Sequence, residues 1–149
     1  MDDAARQALA EASARALASR DHTARHLGIA IEAVRPGYAR AVMEVRPFMV
    51  NGHDILHGGI CFTLADTAFA YCCNSHDVVT VASACSISFL APGKRGDRLV
   101  AEAVEVIKKG RAGVTDVTVT NQNGEILAVF RGNSRTLSGR VTEGEDPPI

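Results

Sequence analysis

From Tyr38 to Val45 the side chains change character every second residue. Ala39, Ala41, Met43 and Val45 share one side, against Tyr38, Arg40, Val42 and Glu44 on the other. A period of two marks a strand with one buried face. The preceding RPGY stretch supplies a turn, so HLGIAIEAVRPGYARAVMEVRP (residues 26–47) reads as two strands joined in a hairpin. Upstream, Asp2 to about Ser19 is Ala-rich with Arg and Glu interspersed, which predicts a helix. Residues Phe48 to about His57 predict an irregular loop. GGICFTLADTAFAYCC then predicts a helix from near Gly58 to about Asn74 that is apolar nearly all round. Four further strands follow: VVTVASACSISFL, RLVAEAVEVIK, VTDVTVT and ILAVFRGNSRTL, separated by the turn clusters APGKRGD, KGRAG and NQNGE. The last of these holds an Asn-Gly hairpin signal. The tail TEGEDPPI is acidic and Pro-rich and is expected to fray.

Two strands, one apolar helix and four more strands make an α+β pattern. A helix without a polar face must be covered on most sides, and Ala65, Ala68 and Ala70 are small enough for a sheet to approach closely. An antiparallel sheet of five to six strands wrapped around it satisfies both conditions. The 149 residues fit one domain, with the first 20 or so as an N-terminal helix and about 142–149 as the tail.

Composition narrows the function. A formal net charge of −1 argues against a general electrostatic grip on nucleic acid, and aromatics at 5% with no Trp argue against a base-stacking platform. The longest apolar run is short and carries Asp66, which speaks against a membrane span, and the N-terminus has no signal-peptide core. Cys61, Cys72, Cys73 and Cys85 all lie in apolar stretches, as buried thiols of a reducing cytoplasm do.

Three features carry chemistry. Asp66 is a lone acid inside the apolar helix, where an unpaired charge costs several kcal/mol; it is either paired structurally or placed at a cavity or subunit interface. His57-Gly58-Gly59 opens that helix, where bare backbone N–H groups and the positive end of the helix dipole favour a developing oxyanion; a tight turn into the helix would explain the glycines equally well. Asn51 is a turn residue whose amide also suits a substrate carbonyl. His53 and His57 have i, i+4 spacing, but Gly52 and the loop speak against the helix a metal pair needs, so no metal is expected. Six basic residues fall between Lys94 and Arg111, either binding phosphates or capping hairpin ends in solvent.

The pattern N-G-x(4)-H-G-G-x(2)-F-x-L-A-D-x-A over Asn51–Ala68, followed by VASACSISFLAPGKRGDRL and FRGNS, closely resembles the PaaI-type hotdog thioesterases of bacterial phenylacetate degradation. The resemblance spans about Ala24 to Val141. It implies a hotdog fold and hydrolysis of acyl-coenzyme A thioesters, particularly phenylacetyl-CoA and its ring-hydroxylated relatives, with coenzyme A as part of the substrate and no separate cofactor. It implies Asp66 as the catalytic acid, Gly58 as the backbone donor, and Asn51 and His57 as the polar pair beside it. Some relatives in the wider family use a polar side chain on the following strand to assist water; here Thr80, Ser83 and Ser86 are candidates, and Ala82 stands where some relatives carry Ser. Gly59, Phe62, Thr67, Ala82 and Ser83 are the expected acyl-CoA contacts, with Leu64, Phe69, Met49 and Val50 as further apolar walls. Lys94, Arg95, Lys109, Gly110 and Arg111 are expected near the coenzyme A phosphates.

Gly58 and Asp66 are eight residues apart on one helix, about 12 Å at the helical rise. Both must approach one carbonyl within about 3–4 Å. The expectation is therefore a two-fold homodimer in which Gly58 of one subunit and Asp66 of its partner share a site; the resemblance adds a tetramer. Two alternatives stand beside hydrolysis: a hotdog enoyl-CoA hydratase or dehydratase, and a non-catalytic acyl-CoA-binding module.

Overall fold

The computed structural model describes residues 1–144. Two N-terminal helices, α1 (Asp3–Arg20) and α2 (His22–Leu27), lead into the hairpin β1 (Ala30–Arg35) and β2 (Tyr38–Glu44). A loop with one 3-10 turn at Pro47–Met49 precedes the central helix α3 (Gly58–Cys73), and β3 (Thr80–Phe89), β4 (Arg98–Lys109), β5 (Ala112–Thr120) and β6 (Ile126–Thr136) complete the chain. All six strands form one antiparallel sheet in the order β1-β2-β4-β5-β6-β3.

The alternation read from the sequence decides which face meets α3. Ala39, Ala41 and Met43 of β2 pair with Ala103, Ala101 and Leu99 of β4, and all six are buried. Across β5 and β6, Val117 pairs with Phe130 and Val119 with Ala128, buried likewise. α3 packs against β2, β3, β4, β5 and β6, so the sheet curves around it. This is the hotdog arrangement. Small residues let helix and sheet close up; a Cβ at Gly132 of β6 would lie 2.3 Å from the Phe69 ring. Only a glycine admits the buried phenyl there.

Two expectations need correction. His26 and Leu27, read as the start of the first strand, end α2 instead. Asp21 caps that helix by accepting from the Ala24 N–H, and Gly28 closes it in a left-handed conformation at φ 70°. The expected fraying from about residue 142 also fails at its start. Val141–Glu143 forms a 3-10 turn, and Thr142 donates its N–H and its hydroxyl to Asp77 at 2.8 Å each. Residues 145–149 of that tail lie outside the described residues. Asp77 itself is buried, sits in a left-handed conformation at φ 60°, and also accepts from Arg140 at 2.8 Å. It thereby ties the end of the chain to the approach of β3.

The two sheet edges differ. At β1, α1 packs alongside and Gln7 donates to the Val34 carbonyl. At β3 the residues from Val81 to Ala84 are exposed, as are Ser86, Ser88 and Phe89. Long uncovered edges of this kind are open templates for pairing.

Candidate active site

The loop before α3 is folded around Asn51. Its backbone N–H donates to Ile55, and a bridge pairs Val50 with Leu56. The Asn51 side-chain oxygen accepts from the N–H groups of His53 (2.9 Å) and Ile55 (3.4 Å). With Oδ1 committed to donors, the amide presents Nδ2, which has no acceptor among the described residues. Leu56 donates to the Gly93 carbonyl and His57 to the Met49 carbonyl, both at 2.8 Å, which fixes the loop against the β3–β4 connection.

At the start of α3 the backbone donors resolve to one. An α-helix leaves its first N–H groups without intrahelical acceptors. Ile60 and Cys61 donate to the His57 carbonyl. Gly59 donates to His57 Nδ1 at 2.9 Å, so this histidine is the helix cap. Gly58 N–H alone has no acceptor among the described residues. Gly58 and Asn51 line a cavity of about 520 Å³ whose remaining walls are Ile55, Leu56, Cys61, Phe89, Leu90, Ala91, Pro92, Gly93 and Leu127. Burial pushes the Cys61 thiol up to about 11, so this wall is an uncharged, weakly polar surface.

Asp66 is absent from that cavity. It lies half-buried on α3 with no hydrogen bond or ion pair among the described residues, and desolvation raises its pKa. The charge is felt on β3, where Cys85 is raised first by burial and then by Asp66. Asp66 sits two helical turns along α3 from the Gly58 donor, on a helix that packs against β3.

The hydroxyls proposed to assist water separate clearly. Thr80 is buried and donates to the Val78 carbonyl. Ser86 pairs with Arg131 and lines a groove with Ser88 and Asp116 on the sheet face away from α3, so it cannot meet Asp66. Ser83 sits at the irregularity between Ala82 and Ala84 and donates to the Asn133 carbonyl at 3.1 Å. Ala82 and Ser83 are both exposed on the β3 edge.

Other expected contacts lie elsewhere in one chain. Phe62 stacks edge-on against Phe130 at 5.3 Å, and Leu64, Phe69 and Met49 are core residues. Thr67 spends its hydroxyl on the Thr63 carbonyl at 2.7 Å. Lys94 and Arg95 adjoin cavity-lining Gly93, with Arg95 bridged to Asp54 of the loop at 2.8 Å. Lys109, Gly110 and Arg111 form the β4–β5 turn at the opposite end of β4. The basic residues thus make two groups rather than one patch. His53 stands in the loop, and no cluster of metal-ligating side chains occurs among the described residues. Unforeseen from sequence were Phe89, Leu90, Pro92 and Leu127. They are separated from the HGG motif along the chain and meet it only once β3 and β6 pair.

The model of the thioesterase superfamily matches residues 53–128. The acyl-coenzyme A thioesterase PaaI of Escherichia coli strain K12 is 45% identical over 87% of this chain and 93% of its own length. The solved E. coli PaaI protein, from the phenylacetic acid degradation operon, superposes with a TM-score of 0.89 at 43% identity, covering 90% of this chain and 97% of that one. A Streptococcus pneumoniae thioesterase protein solved with coenzyme A superposes with a TM-score of 0.73 at 28% identity, covering 75% and 90%.

Proposed function

Because the chain belongs to the thioesterase superfamily and is an acyl-CoA thioester hydrolase of the PaaI type, we propose that it cleaves phenylacetyl-CoA and ring-hydroxylated phenylacetyl-CoA to the free acid and coenzyme A. Coenzyme A is part of the substrate, and no further cofactor is required. The observation that carries the mechanism is Gly58, which lines an apolar cavity and whose N–H has no acceptor among the described residues.

The thioester carbonyl accepts from Gly58 N–H, with Asn51 Nδ2 as second donor. Negative charge grows on that oxygen as the carbon is attacked, so donors held in place stabilise the transition state more than the ground state. His57 holds the first turn of α3 in shape by taking the Gly59 N–H. Asp66 of the partner subunit either takes a proton from the water that attacks the carbon, or attacks the carbon itself to give an anhydride that water then hydrolyses to the free acid. The C–S bond breaks, the pair of electrons leaves on the coenzyme A sulfur, and thiolate needs no strong general acid.

Two features support the shared site. Asp66 is missing from the cavity that holds Gly58, and the β3 edge strand is exposed over much of its length. A second copy adding its own β3 to that edge would extend the sheet and shield both unpaired acids. Antiparallel pairing of the two β3 strands also carries the partner's Lys109–Arg111 turn toward this subunit's Lys94 and Arg95, joining the two basic groups as a phosphate site. Exposed Val104, Val106 and Val129 on the outer sheet face support a further pairing of dimers into a tetramer. Free thiols at all four cysteines fit a cytoplasmic setting, and no helix among the described residues is long and apolar enough to cross a membrane.

Release of free thiol from a panel of aromatic and aliphatic acyl-CoA esters tests the substrate class. Preferential turnover of phenylacetyl-CoA is expected; a flat response across the panel would contradict it. The hydratase alternative is separated by the same readout, because adding water to an enoyl-CoA consumes the double bond and releases no free thiol.

A further inference from the structure

We propose that Phe89 determines acyl specificity by presenting its ring to an aryl group on the carbon next to the thioester carbonyl. The assignment rests on the thioesterase reading above and names a residue that the HGG motif does not contain.

Phe89 ends the edge strand β3 and pairs with Ala128, which directs its side chain to the α3 side of the sheet. Its ring tip reaches the helix N-terminus: a Cβ built on Gly58 would meet Phe89 Cζ at 3.1 Å. The ring therefore stands beside the N–H that polarises the carbonyl. It is nevertheless 56% exposed, whereas Phe69 and Phe130 are each 2% exposed in the core and Phe62 packs on Phe130. Packing within one chain does not account for an aromatic ring held at an apolar cavity with its free side on the β3 edge, where the second copy proposed above would flank it.

Bond connectivity sets what meets it. With the carbonyl oxygen about 2.9 Å from Gly58 N, a phenylacetyl ring begins two bonds beyond the carbonyl carbon. That distance keeps it within the aromatic contact range of about 4.5–7 Å between centroids. Leu56, Cys61, Leu90 and Leu127 line the remaining space. A dry cavity of about 150 Å³ accommodates benzene, so about 520 Å³ admits an aryl group together with the adjoining thioester arm.

The test compares phenylacetyl-CoA with cyclohexylacetyl-CoA, which has the same carbon skeleton and no π face. In Phe89→Leu the ratio of kcat/KM for the aryl over the cyclohexyl substrate should fall about fivefold, while Phe89→Tyr should keep it. Equal loss on both substrates, the mark of a plain wall or subunit contact, would overturn the assignment, as would an unchanged ratio. The chain has no Trp, so Phe89→Trp adds a unique fluorophore that reads contact without turnover and serves even if the leucine variant fails to fold. Its emission should shift on titration with the phenylethyl thioether of coenzyme A and respond less to the cyclohexylethyl thioether; identical responses would overturn the proposal. If the unsubstituted enzyme released no thiol from either ester, the functional reading would fail, and the fluorescence titration would still decide the Phe89 contact.

Discussion

Asp66 and Gly58 carry opposite demands on one helix, and substitutions separate them. Burial raises the Asp66 pKa in the folded chain. The stabilising effect of protonated Asp66 is thus complete below the unfolded-state pKa and is lost as pH rises through the folded value. Asp66→Asn should therefore match the native protein in strong acid and exceed it in melting temperature near neutrality, while losing at least about 10³-fold in kcat. Native-like turnover, or a stability gain confined to acid, would refute the assignment. For the native enzyme, activity should decline on the acid side around an apparent pKa above the ordinary aspartate range. At Gly58 the N–H can be removed without a hole. His57 has φ −63° and ψ 130°, a conformation that a following proline accepts, and proline is favoured at the first helical position. Gly58→Pro should fold and lose about 10²–10³ in kcat. Gly58→Ala places the same Cβ near Phe89 but keeps the donor, and should lose far less. Equal losses in the two would show that space, not the N–H, matters there.

Elements with strong periodicity were legible before any coordinates. The β2 alternation, the apolar α3 and the Asn-Gly hairpin all lie where the pattern puts them, because burial on one face leaves a local imprint. What escaped is held by distant partners. Short α2 has its Asp cap and its terminal Gly, but six residues carry too little periodicity to stand out beside the strand that follows. Val141–Glu143 is ordered by Asp77, some 65 positions away, and nothing in TEGEDPPI signals that. Burial opposes ionisation of Asp77, yet the Thr142 N–H and hydroxyl and the Arg140 guanidinium outweigh it and hold the carboxyl below its usual range. Stability from this group is present above the unfolded-state pKa and lost as pH falls through the depressed folded value. Asp77→Asn should cost about 2 kcal/mol at pH 7, read in denaturant titration, with the difference from native shrinking in acid. A difference that stayed constant with pH would show that packing, not charge, holds the segment.

At the scale of the whole molecule, Gly58, Asn51 and His57 could be picked from a local motif, whereas the cavity walls at Phe89 and Leu127 required knowledge of strand pairing. On the proposed mechanism the site's remaining piece comes from a second subunit. The helical rise separates Gly58 from Asp66 by about 12 Å in one chain, and the uncovered β3 edge offers the surface for a second copy. Shared sites make a sharp forecast for mixed oligomers. Gly58→Pro and Asp66→Asn subunits, each inactive alone, should regain activity when unfolded together in equal amounts and refolded. Random pairing leaves Gly58 of one subunit facing Asp66 of the other in roughly a quarter of sites, so about a quarter of native thiol release is expected. A refolded mixture that contains both subunit types in one oligomer yet stays as inactive as either parent would contradict the shared site.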